Sequence, residues 1–127
     1  MREITVTTEN KVGVLADICE TLGGVGVNLK AISAHGEGNK GIIKVITEDE
    51  VTAKNALEKA GYEVRIGDVI TIKVRDRPGE LGKVARKLAN SRVNIGAVYL
   101  MAKANNNEVE LAITPEKVSE ALSALKK

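Results

Sequence analysis

Two short segments of the chain carry residue types that suit a small zwitterionic ligand. The first is Glu9-Asn10-Lys11-Val12-Gly13-Val14-Leu15, and the second is Arg75-Asp76-Arg77-Pro78-Gly79-Glu80-Leu81. In each, a short polar side chain, Asn10 or Asp76, precedes a glycine by three residues, and a leucine follows that glycine by two. In each, a further Asn comes 18 residues after the polar one, Asn28 after Asn10 and Asn94 after Asp76. A glycine at a helix start lets a ligand approach the backbone, and the free amides there attract a carboxylate. Asn and Asp oxygens nearby accept hydrogen bonds from an ammonium group. Carboxylate and ammonium held a few Å apart describe an α-amino acid. A polar residue before a glycine is also an ordinary turn and cap, and Asn28 and Asn94 could simply begin strands. Recurrence of the whole spacing favours a ligand.

The elements that must hold these segments come in two copies. Setting residue n against n+66 aligns 4–46 with 70–112, and nine of the 43 pairs are identical, among them Gly13/Gly79, Leu15/Leu81 and Asn28/Asn94. Within each copy the hydrophobic period switches in the same order. Ile4, Val6 and Thr8 alternate as a strand, as do Ile70, Ile72 and Val74. Leu15, Ile18, Cys19 and Leu22 then fall at helical spacing, matched by Leu81, Val84, Ala85 and Leu88. Strands follow over 27–36 and 41–47, and over 93–103 and 108–113, with turns at 36–41 and 105–107. A second helix closes each copy. Thr47 with Glu50 suits a capping box, Thr114-Pro115 suits a cap followed by a first-turn proline, and Pro78 suits the first turn of the second copy's first helix. A last strand, Tyr62 to Ile66, ends the first copy only. The reading is α+β: two ferredoxin-like βαββαβ domains in tandem, 1–66 and 67–127, the second lacking its final strand. That leaves strand 70–75 at a sheet edge, blunted by Lys73 and Arg75 or covered by a partner chain.

Composition removes competing functions. The 127 residues include no Trp, no Phe and two Tyr, too few rings for nucleic-acid stacking platforms. One Cys and one His cannot build a Cys/His zinc site or an internal disulfide. Cys19 lies on the helix stripe as a small core residue, and His35 has no second His to work with. No nucleophile–base pair, metal cluster or cofactor motif is legible, so neither catalysis nor a cofactor is expected. The opening residues lack the apolar run of a signal peptide, and no stretch reaches membrane-spanning length. A cytoplasmic protein without a membrane partner follows as the expectation.

In the segments Asp76-Arg-Pro-Gly-Glu-Leu81 and Val93-Asn-Ile-Gly-Ala-Val-Tyr-Leu100 the sequence resembles the ACT domain family, regulatory modules of amino-acid biosynthetic enzymes. The resemblance covers essentially the whole chain, twice. It implies domains that pair side by side and bind an amino acid at the seam. It also implies a homo-oligomer, a dimer, and a regulated enzyme as partner. In serine-binding members a loop Asn and the Asn opening the second strand hold the effector. Those roles fall on Asn10 with Asn28, and on Asp76 with Asn94. Two positions depart from the family's pattern: Val12 stands where Pro is usual, and Asp76 where serine-binding members have Asn. The candidate ligand-binding set is therefore Asn10, Lys11, Val12, Gly13, Val14, Leu15 and Asn28, with Asp76, Arg77, Pro78, Gly79, Glu80, Leu81 and Asn94. An interaction module without a small-molecule ligand is the alternative.

Two further features bear on partners. Val98 and Leu100 make the second face of strand 93–102 apolar, which suits burial against a neighbouring domain. The copies also differ in charge. Residues 1–66 carry eight basic and ten acidic side chains, whereas 67–127 carry eleven and seven. Without stacking rings, this basic half favours a solvated face or an acidic protein partner over RNA or DNA.

Overall fold

The computed structural model describes residues 2–105 and 107–126, with the side chains of 102–105 left undescribed. The chain divides into two compact units, Met1–Gly67 and Asp68–Lys127. The first contains β1 (Arg2–Glu9), α1 (Val14–Gly24), β2 (Leu29–Glu37), β3 (Lys40–Thr47), α2 (Glu50–Lys59) and β4 (Glu63–Asp68). The second contains β5 (Ile70–Arg75), α3 (Glu80–Asn90), β6 (Ile95–Asn105), β7 (Glu108–Pro115) and α4 (Val118–Leu125). The first sheet has the order β2-β3-β1-β4, and the second β5-β7-β6. The fold is α+β, a βαββαβ unit followed by its βαββα counterpart.

Strand alternation sends Ile4, Val6 and Val45 into one core, where Ile18 and Leu22 of α1 and Ala53 and Leu57 of α2 meet them. In the second unit Ile70 and Ile113 meet Val84 and Leu88 of α3 and Ala121 and Ala124 of α4. The matching helix positions therefore share one job in both units. Full burial of a Leu or Ile side chain is worth about 1.5–3 kcal/mol, so these residues position everything else. Leu15 and Leu81 do not join them. Both are about half exposed at the first turn of their helices, beside the loops rather than under the sheet.

Register corrects the repeat. Ile4 stands opposite Val45 and Ile70 opposite Ile113. The offset is thus 66 in the first strands but 68 in the third, because the second unit's hairpin is two residues longer. β6 absorbs the difference with irregular register between Leu100 and Lys103 and between Lys103 and Asn105. A shift of two residues keeps every side chain on its face, so an alignment without a gap still pairs apolar with apolar. The hairpin in the first unit is tighter than the turn read from 36–41, since β2 runs to Glu37 and β3 starts at Lys40. In the corresponding turn at 105–107, Asn106 lies outside the described residues.

Helix starts differ from the sequence reading at three places. Asp49, not Thr47, caps α2: its carboxylate accepts from the Thr52 amide at 3.2 Å, while Thr47 Oγ1 accepts from the Asp49 amide at 3.3 Å. A carboxylate two residues closer to the helix wins the cap. Pro115 ends β7 instead of opening α4, which begins at Val118. Pro78 stands one residue before Gly79, the N-cap of α3. Among the described residues no helix is long and apolar enough to cross a membrane.

Candidate functional site

Each unit turns from its first strand into its first helix through a glycine with left-handed backbone, Gly13 at φ 93° and Gly79 at φ 87°. A side chain at such an angle collides with its own carbonyl, and glycine avoids this. Among the described residues no side chain caps the start of α1 or α3. The first amide of each helix, Val14 or Glu80, turns back to the carbonyl of Lys11 or Arg77 at 3.4 or 3.5 Å, and the amides that follow it in the first turn face the positive end of the helix, where an anion is favoured. The end of β1 or β5 is tied to the neighbouring hairpin: the Asn10 amide donates to Asn39 O at 3.0 Å, and the Asp76 amide to Asn107 O at 2.8 Å.

A small cavity lies beside each loop. The first, of about 160 Å³, is bounded by Asn10, Lys11, Val14 and Leu15 and closed by Ala34, His35 and Gly36 at the end of β2. The second, of about 200 Å³, is bounded by Asp76, Arg77, Glu80 and Leu81 and closed by Val98, Leu100 and Leu111. Both fall below the ~300–1,000 Å³ of drug-sized sites, so they suit a small metabolite.

Their finish differs. Asn10 Nδ2 donates to Gly38 O at 3.1 Å, folding its amide over the hairpin. That position requires Gly36, because a Cβ there would lie 2.4–2.5 Å from the Asn10 side chain. Lys11 pairs with Glu9 at 3.3 Å, and Val12 is wholly exposed at the loop tip. In the second unit Arg77 Nε donates to Glu80 Oε1, and Lys83 Nζ reaches the same oxygen at 3.5 Å. The hydrogen bond from Arg77 holds the Glu80 carboxyl below its usual range, with the charges of Arg77 and Lys83 adding to it. Protonation of Glu80 therefore loosens the Arg77 end of the loop as the pH falls.

The structure gathers Asn10, Lys11, Val14 and Leu15 around one cavity and Asp76, Arg77, Glu80 and Leu81 around the other. Val12, Gly13, Pro78 and Gly79 shape the loops without lining them. Asn28 and Asn94 lie elsewhere in their units. β1 and β2 both pair antiparallel with β3, so they run parallel. Leu29 and Arg2 meet β3 at Thr47, whereas Glu37 and Glu9 meet it at Lys40. Asn28 thus stands at the opposite end of the sheet from Asn10. There its carbonyl accepts from Thr47 Oγ1, as the Asn94 carbonyl accepts from the Glu116 amide. The cavity walls missed in the sequence come from the end of β2 and β6: His35 and Gly36, and Val98 and Leu100. The signal was present, because parallel strands joined by one helix place their C-terminal ends at the same end of the sheet, here on either side of β3 or β7. Among the described residues no group of three or more His, Cys, Asp or Glu could hold a metal ion.

A family model described as an ACT domain pair matches residues 1–121. The chain belongs to the ACT domain pair family. Protein BT0572 from Bacteroides thetaiotaomicron superimposes with a TM-score of 0.87 at 31% identity, over 98% of this chain and 85% of that one. The ligand-free regulatory subunit of aspartate kinase from Thermus thermophilus has a TM-score of 0.74 at 17% identity, over 98% and 90%. The aspartokinase alpha and beta subunits give 0.71 at 17% identity, over 98% and 88%. At 17% identity the last two share the fold with this ACT domain pair. No curated protein matches the chain.

Proposed function

We propose that this ACT domain pair is a non-catalytic sensor of a small L-amino acid, working in the cytoplasm as a homodimer and reporting to an enzyme it regulates. The observation that carries the reading is the repeated cradle: a left-handed glycine opens an uncapped helix above a cavity of metabolite size, in both units. The ligand carboxylate would take the first-turn amides of α1 or α3, and its ammonium the oxygen of Asn10 or Asp76. Because Asn28 and Asn94 stand at the far ends of their own sheets, they serve only a ligand shared with a neighbouring domain. Binding across such a seam would favour the paired state by its differential affinity. The kinship in fold to a regulatory subunit of aspartate kinase supports a regulatory role.

A second reading has one observation in its favour. The Asn10 amide already donates to Gly38 O, as in a loop that needs no ligand. A thermal-shift screen of the L-amino acids separates the two. A ligand at 100 times its dissociation constant stabilises by about 2.7 kcal/mol. Asn10→Ala and Asn28→Ala should erase the shift if the first unit responds, and Asp76→Ala and Asn94→Ala if the second does. No shift with any amino acid at millimolar concentration leaves the interaction module.

A further inference from the structure

β5 is the edge strand of the second sheet. It bonds to β7 on one side, and among the described residues no strand pairs with the other. In the first unit the corresponding strand, β1, is covered by β4. Between the uncovered edge and α3 runs an open groove of about 400 Å³. Its floor is apolar, formed by Ile72, Val74 and Val84. Ile72 and Val74 pack on the core yet remain partly exposed. Its rim is cationic: Lys73 and Arg75 on the strand, Arg77 in the loop, Lys83 and Lys87 on the helix. Glu80 and Glu108 are the carboxylates of this lining, and Glu80 is already engaged by Arg77 and Lys83.

We infer that this groove accepts an extended acidic peptide segment of a partner protein, added to β5 as a further strand. An open edge supplies unpaired amides and carbonyls, which recognise peptide backbone. The apolar floor accepts alternate side chains, and the rim accepts carboxylates on the others. β7 shows the complementary pattern, because its Glu110 stands opposite Lys73 and its Glu108 opposite Arg75 while Val109 and Leu111 are buried. A second strand of the same alternation fits the free side. A second copy of β5 fits poorly, because an antiparallel joint gathers two Lys73 and two Arg75 on one face. Nucleic acid would use the cations but neither the floor nor the edge. The inference is independent of the amino-acid reading.

The test uses the full chain and a fluorescein-labelled peptide of alternating Glu and Val, about six residues long as a typical strand is. Anisotropy should report binding at low salt that weakens as salt rises. Lys73→Glu with Arg75→Glu should weaken it about tenfold or more, with circular dichroism confirming that the variant is folded. The same peptide N-methylated at alternate residues keeps its charge but cannot pair as a strand, and it should not bind. Three results overturn the inference: no binding at low salt; equal binding of the N-methylated peptide or of a single-stranded oligonucleotide of equal charge; or self-association of the chain that the double variant abolishes, which gives the edge to a second copy.

Discussion

The loop after β1 and the loop after β5 share a backbone and differ in what surrounds it. Gly13 and Gly79 adopt nearly the same dihedral angles, φ 93° and ψ −12° against φ 87° and ψ −8°. Around the first loop, small residues, Ala34, Gly36 and Gly41, leave a cavity with Thr8, His35 and Asn10 on its walls. Around the second, Val74, Leu100 and Val109 occupy the positions of Thr8, Ala34 and Gly41, and Arg77 holds Glu80 where the first unit has Val14. The backbone cradle for a carboxylate is thus common to both, whereas the surface that would meet the rest of a ligand is evenly mixed in one and mainly apolar in the other. The two copies agree in the part that glycine geometry dictates and differ in the side chains around it.

The largest expected effect breaks the first cavity alone. Gly36→Val forces a Cβ into the Asn10 side chain, and overpacking of this kind costs about 1–3 kcal/mol. Chemical denaturation should show most of that loss disappearing in an Asn10→Ala background, because the clash partner is then gone. An undiminished loss would place the strain elsewhere. The same substitution should remove any amino-acid response of the first unit and leave the second unit's intact.

Next in size is a matched pair that should not distinguish the units. Among the described residues, and apart from the two flanking ones, nothing lies within 4 Å of where a Cβ would stand at Gly13 or Gly79. Alanine there suffers only from its left-handed backbone, about 1–2 kcal/mol each. Equal losses in denaturation midpoints confirm a common cradle, and clearly unequal ones break the comparison.

The smallest effect belongs to the second loop and depends on pH. The Glu80 carboxyl is held below its unfolded value, so its contribution is complete above that value and is lost as the pH falls through the folded one. Glu80→Gln should therefore lower the denaturation midpoint slightly at neutral pH and not at all at strongly acidic pH. Exposure and salt screening keep the difference small. Val14→Gln, at the matching position of the first unit, should show no such pH dependence.

Much of this protein was legible in its residue order because short-range rules fix it. Alternation of Ile4, Val6 and Thr8, helical spacing of Ile18 and Leu22, and their recurrence 66 residues on dictate two α+β units. Glycine at 13 and 79 announces the turn into each helix, since few other residues tolerate that angle. Tertiary structure alone decided what distant segments do together. It shifted the third strand of the second unit by two residues, a change invisible to a period of two. It brought the end of β2, with His35 and Gly36, against Asn10, and sent Asn28 to the other end of the sheet. It also left β5, among the described residues, without a neighbouring strand on one side and set a cationic helix beside it. Spacing along a chain determines which face a side chain takes, but which faces and ends meet depends on strand order and register.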